Sequence, residues 1–200
     1  MLLLWLLLIC QDQNGSDDWA IIEPPKIGAR VQMPGTPFFT EQKLRPVRDQ
    51  EEITVRTRSA MLPSGKENLT FVYHDEHSTP TSRTQIKKVL DGAVTGAIAL
   101  VNGEIVRQSE IFLKNHKGRD FVYQCELDDA KLQTTHKLKI RTRVLLVKNR
   151  LFSMNYIAEY DSYNDEIADR FFESFELINS AEDLPPKPRP GRARQLAQEK

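Results

Sequence analysis

The residue types able to do chemistry fall into four groups. His74-Asp75-Glu76-His77 places two imidazoles three apart with two carboxylates between them, ligand types that suit zinc and can converge in a turn. Lys137, Lys139, Arg141 and Arg143 occupy every second position of one segment, so in a strand they share a face. Such a face can draw in a polyanion or an acidic partner, more so if Arg56 and Arg58 lie on a neighbouring strand. Asp120, Glu126, Asp128, Asp129, Glu159 and Asp161 are carboxylates of the kind a hydrolase uses as acid and base. Cys125 is the one thiol outside the N-terminal apolar run, where Cys10 lies.

Each group also has a plainer reading. A tetrahedral zinc site wants four ligands, and nothing elsewhere in the sequence supplies an obvious third and fourth, so a polar strand end is the preferred account and no metal or other cofactor is expected. Lys and Arg together number 28, as do Asp and Glu, so acids on flanking strands can neutralise the basic row. No aromatics interleave with that row, and nucleic acid is not expected as a partner. The row Lys137, Lys139, Arg141 and Arg143 remains the speculative binding surface for an acidic protein or anionic ligand. The carboxylates sit where turns ordinarily place acids. Cys125 falls inside a strand, as a buried, inert thiol does. Asn14-Gly15-Ser16 and Asn68-Leu69-Thr70 match the glycosylation sequon. No nucleotide-binding loop, nucleophile elbow or paired-cysteine knuckle is present.

The elements that must position these residues are legible from periodicity. Lys137 to Val144 alternates charged and apolar, a half-buried strand, and Val144–Val147 is apolar throughout, as in a segment covered on both faces. Lys148-Asn149-Arg150 turns the chain into a partner strand, Leu151–Tyr160. Ser162 or Asn164 then caps a helix whose apolar residues are Ile167, Ala168, Phe171, Phe172 and Phe175. Earlier, Ala29, Val31 and Met33 mark a short edge strand ended by Pro34-Gly35-Thr36-Pro37. Gln42–Gln50 is charged, contains Pro46 and reads as loop. Strands follow at Ile53–Thr57 and Leu69–Tyr73. A long helix runs from a Thr81 or Ser82 cap to Asn102-Gly103, its stripe formed by Ile86, Val89, Leu90, Ala93, Val94, Ala97, Ile98 and Val101. Gly92 and Gly96 would let that helix lie close on the sheet. Glu104–Leu113 and Arg119–Leu127 pair around Asn115–Gly118, where Gly118 supplies a positive φ.

The ends differ in composition. Met1–Ile9 is apolar, far shorter than the roughly 20 residues of a spanning helix, and it fits the core of an export signal without its basic flank. Any membrane contact is expected only through this leader, and Cys10 is a weak lipidation candidate, since Ile9 stands where a small residue belongs. From Leu184 to Lys200 the Pro-rich C-terminal stretch has five basic residues against Glu199 alone and nothing to bury. The division is a leader and linker over residues 1–18, one domain over 19–178, and a tail over 179–200.

Consecutive strands with short links and two helices far apart specify an α+β domain, a mainly antiparallel sheet with a long helix and a C-terminal helix packed on it. This order, with Phe171-Phe172-Glu173-Ser174-Phe175 near the end, resembles the α/β/α sandwich of the PsbP-like superfamily. The same ending, and the Met33–Pro37 segment, resemble uncharacterised exported bacterial proteins. That superfamily includes photosystem extrinsic subunits and a GTPase-binding protein. The resemblance therefore implies a non-catalytic binding or accessory module and carries no catalytic residues; the apolar leader adds the expectation that the chain is exported or membrane-associated. The alternative is a hydrolase using the carboxylates or the His74/His77 pair.

Overall fold

The computed structural model describes residues 18–44, 52–129 and 134–178. In chain order its elements are β1 (Trp19–Ile22), β2 (Ala29–Pro34), β3 (Phe38–Leu44), β4 (Ile53–Met61), β5 (Glu67–Asp75), α1 (Arg83–Val101), β6 (Glu104–Leu113), β7 (His116–Asp129), β8 (Thr134–Val147), β9 (Arg150–Glu159), α2 (Asp165–Glu173) and β10 (Glu176–Leu177). Seven strands form one antiparallel sheet in the order β3-β4-β5-β9-β8-β7-β6, and β1-β2-β10 form a second, smaller one. The large sheet is two meanders, β3-β4-β5 and β6-β7-β8-β9, joined along β5 and β9.

That seam pairs Glu67–Asp75 with Arg150–Ala158. Side chains clasp it in three places. The Tyr156 hydroxyl donates to Glu67, the Asn155 amide donates to Thr70 Oγ1 at 2.8 Å, and the Arg150 guanidinium holds both oxygens of Asp75 at 2.7 and 3.1 Å.

Successive strand residues point to opposite faces, so pairing fixes which side chains meet. One face presents Leu69, Phe71 and Tyr73 of β5, Phe152, Met154 and Tyr156 of β9, and Leu145 and Val147 of β8. They are buried with Ala29, Val31 and Met33 of β2 and with Ala168, Phe171 and Phe172 of α2. The other presents Phe121 and Tyr123 of β7 and Leu138, Ile140, Val144 and Leu146 of β8, buried with Leu90, Val94 and Val101 of α1. Val144 to Val147 are all buried, because both clusters draw on the same stretch.

Ser82 caps α1 in a reciprocal arrangement with Gln85, and Asn102 closes it at φ 49. Asn164 caps α2, accepting from the amides of Glu166 and Ile167 at 2.9 and 3.3 Å.

Several sequence expectations are corrected. The segment read as loop from Gln42 begins inside β3, an outer strand paired with β4 alone and largely solvated, so its charged composition is no obstacle to pairing. β2 is the central strand of the small sheet rather than an edge. Pro34 is tolerated because it is the last residue of that strand. Phe175 lies beyond the end of α2 yet is buried, its ring 5.9 and 5.6 Å from those of Phe71 and Phe152. The β6–β7 turn is Lys114-Asn115, with Lys114 at φ 52, and Gly118 sits within β7. Glycine is required there by approach, because a Cβ would lie 2.3 Å from the Val144 carbonyl oxygen. Gly92 and Gly96 do not bring α1 onto the sheet, since an added Cβ at either meets nothing within 4 Å.

Candidate binding surface

The basic row lies on the α2-facing side of β8, and the structure splits it in two. Arg141 and Arg143 are drawn inward. Register places Asp120 of β7 opposite Arg143, and its carboxylate accepts from both guanidiniums, from Arg141 at 3.1 Å to each oxygen and from Arg143 at 3.0 and 2.8 Å. α2 adds the rest. Asp169 accepts from Arg141 at 2.6 Å, the Phe172 carbonyl accepts from Arg143 at 2.9 Å, and both guanidiniums lie near the Phe172 ring, at 4.6 and 5.2 Å. Arg141 and Asp120 are 8% and 7% exposed, so this group works as a clamp between sheet and helix.

Lys137 and Lys139 remain toward solvent. Lys137 is exposed and within 3.3 Å of Glu126. Lys139 is half-buried, its ammonium 3.7 Å above the Tyr163 ring, and no carboxylate among the described residues pairs with it. The Tyr163 hydroxyl beneath is buried without a hydrogen-bond partner, and burial pushes it up to about 12. Arg56 and Arg58 do not join this row, because β5 and β9 stand between β4 and β8.

The remaining candidates sit apart. His74 Nε2 is 3.2 Å from Glu76 Oε1 at the end of β5, and that contact, with its charge, holds the Glu76 carboxyl below the ordinary carboxylate range. Among the described residues no three His, Cys, Asp or Glu side chains gather as metal ligands, and His74 and His77 gain no third. Glu159 is shared between Lys66 at 3.1 Å and His136 at 3.2 Å. Asp128 accepts from Thr135 at 2.8 Å, and Asp161 is exposed. Cys125 is buried, which pushes its thiol up and away from the reactive thiolate. Asn68 of the second sequon is 2% exposed, inside β5. Cys10, the first sequon, the leader and the tail lie outside the described residues.

Three participants were not singled out for this row from sequence. Asp120 was counted among hairpin carboxylates, although pairing β7 with β8 about their turn sets it opposite Arg143. Asp169 and Phe172 belong to a helix whose docking position no local pattern reveals.

No family model matches the chain, and no curated protein does either. Among solved structures, the solution structure of cyanobacterial PsbP (CyanoP) from Synechocystis sp. PCC 6803 matches 80% of this chain and 92% of its own, with TM-score 0.54 and 11% identity. A crystal structure of PA94 from Pseudomonas aeruginosa, a protein of unknown function titled a putative regulator, matches 85% of this chain and 98% of its own at TM-score 0.40 and 10% identity. The first of these likenesses agrees with the resemblance drawn from element order: the fold of this chain is PsbP-like.

Proposed function

We propose that this chain is a non-catalytic binding or accessory module of PsbP-like type, an α/β/α sandwich acting outside the cytoplasm. Its partner is an acidic protein patch or an anionic ligand. The observation carrying this reading is the division of the β8 row. Arg141 and Arg143, neutralised by Asp120 and Asp169, hold α2 in place, while Lys139, which no carboxylate among the described residues pairs, leaves positive charge at the surface beside Lys137 and its Glu126. The engagement of Asp120, Glu159 and His74 by neighbouring side chains supports an architectural use of these groups rather than acid–base chemistry.

The test is a titration with a soluble polyanion at low and high salt, comparing wild type with Lys137→Gln/Lys139→Gln. Binding should weaken in the variant and with salt, since exposed charges reach only about 8 Å at physiological ionic strength. Binding that ignores both changes removes this surface. Export is tested separately by fractionating the native host and sequencing the N-terminus of the mature protein by mass spectrometry. A cytoplasmic protein retaining Met1–Ile9 would overturn it.

A further inference from the structure

At the outer end of the large sheet, on the face that also carries α2, register builds two parallel rows across three strands. Phe39, Arg58 and Phe71 form one, and Glu41, Arg56 and Tyr73 the other. The two arginines are two residues apart on β4, so their backbones stand about 7 Å apart on one face. Glu41 accepts from Arg56 Nε at 2.7 Å. Arg150, across the seam, is held by Asp75 and also donates to the carbonyls of Lys26 and Ile27 at 3.2 and 3.3 Å.

Arg58 is different. Its guanidinium lies 4.3 Å from the centre of the Phe39 ring, and it is half-buried. Among the described residues no carboxylate pairs with it, and its Nε–H is buried without a hydrogen-bond partner. That Nε–H is closed to solvent, so the terminal nitrogens are what the side chain offers to a ligand. Among the described residues on this face, Glu41 pairs with Arg56 and Asp75 with Arg150, and Arg58 is left without a carboxylate. The Tyr73 phenol reports the same field: burial raises its pKa, while these three arginines pull it down.

We infer that Arg58, with Arg56 beside it, anchors an oxyanion site that takes a carboxylate or phosphate group on the open end of its guanidinium. Contact with the Phe39 ring restrains the guanidinium, so less side-chain freedom is lost when the anion arrives. The site is open to solvent on the Phe39 side, where that ring is 41% exposed. Glu41 neutralises Arg56 but leaves Arg58 for the ligand. This site lies across β5 and β9 from the β8 row and stands whether or not that row binds anything.

The arginine Nε–H of Arg58 is a direct reporter. Titrating labelled protein at constant ionic strength with inorganic phosphate, and separately with succinate, should move its NMR signal saturably with at least one of the two. Saturation with phosphate alone assigns a phosphate site, and saturation with succinate alone a carboxylate site. Arg58→Gln should weaken the affinity by about tenfold or more, the size of one charge-assisted hydrogen bond, whereas Lys137→Gln/Lys139→Gln should leave it unchanged. Arg58→Lys keeps the charge and the packing stem while removing the fork, so an affinity loss in that folded variant supports the site even if Arg58→Gln is unstable. Linear, non-saturating shifts with both anions, or equal affinity in wild type and a folded Arg58 variant, would overturn the inference.

Discussion

Asp120 is the residue on which the α2-facing side turns. Its single carboxylate serves two arginines from a position 7% exposed, and Asp169 supports only one of them from the helix. Removing one member of a buried charge group leaves the others desolvated and unpaired, so Asp120→Asn should cost about 3–5 kcal/mol in urea unfolding at neutral pH. A loss below about 1 kcal/mol would show the clamp to be solvated. By the same reasoning Arg141→Gln/Arg143→Gln reads stability and not ligand binding, which is why Lys137 and Lys139 are the positions to vary. The tyrosines offer a second measurement. Burial pushes the phenols of Tyr123 and Tyr163 up to about 12, so the folded state favours their neutral form. With folded values above the unfolded value near 10, their contribution is complete below about pH 10 and disappears as pH rises through about 12. Tyrosinate absorbance should therefore show phenols ionising late. Tyr123→Phe should remove one of them, and an unchanged high-pH limb would contradict the assignment.

At the scale of elements, the glycines separate two uses of one residue. In α1, Gly92 and Gly96 face open space and only weaken the helix, so replacing both by Ala should stabilise the protein by about 2 kcal/mol, a rise read as a higher Tm. In β7, Gly118→Ala drives a methyl into the Val144 carbonyl and should destabilise by about 1–3 kcal/mol. A Tm change of the opposite sign at either place would contradict the packing described. The alternation at Lys137–Val144, the Phe spacing of α2 and the caps at Ser82 and Asn164 were legible because each is a local period or a local hydrogen bond. β3 was not, because an outer strand with few buried positions need not show a hydrophobic period. The role of Gly118 was not legible either, since its reason lies in β8, 26 residues on at Val144. The clamp follows the same rule: the basic row was visible, but its neutralisation by Asp120 and Asp169 needs register and helix docking. Arg58 was noticed only as a possible neighbour of that row. What sets it apart, a missing partner, is a property of the folded surroundings alone.

For the whole molecule, the equal numbers of acids and bases hide an uneven arrangement, with charge used internally beneath α2 and left over at the β3–β4–β5 end. The seam between β5 and β9 has a consequence for how the chain is made. Every other neighbouring pair in the large sheet is consecutive in sequence, so it can zip as soon as its second strand emerges. β5 alone must wait, because Arg150 lies 75 residues after Asp75. During synthesis at about 5–20 residues per second, Leu69, Phe71 and Tyr73 therefore stand on an open strand edge for seconds, in the state that invites strands from other chains. The first meander is the aggregation-prone half of this protein, and β9 is the strand that ends its exposure. A ribosome-stalled chain ending before Arg150 should bind holdase chaperones through β5, and one extended past Glu159 should release them.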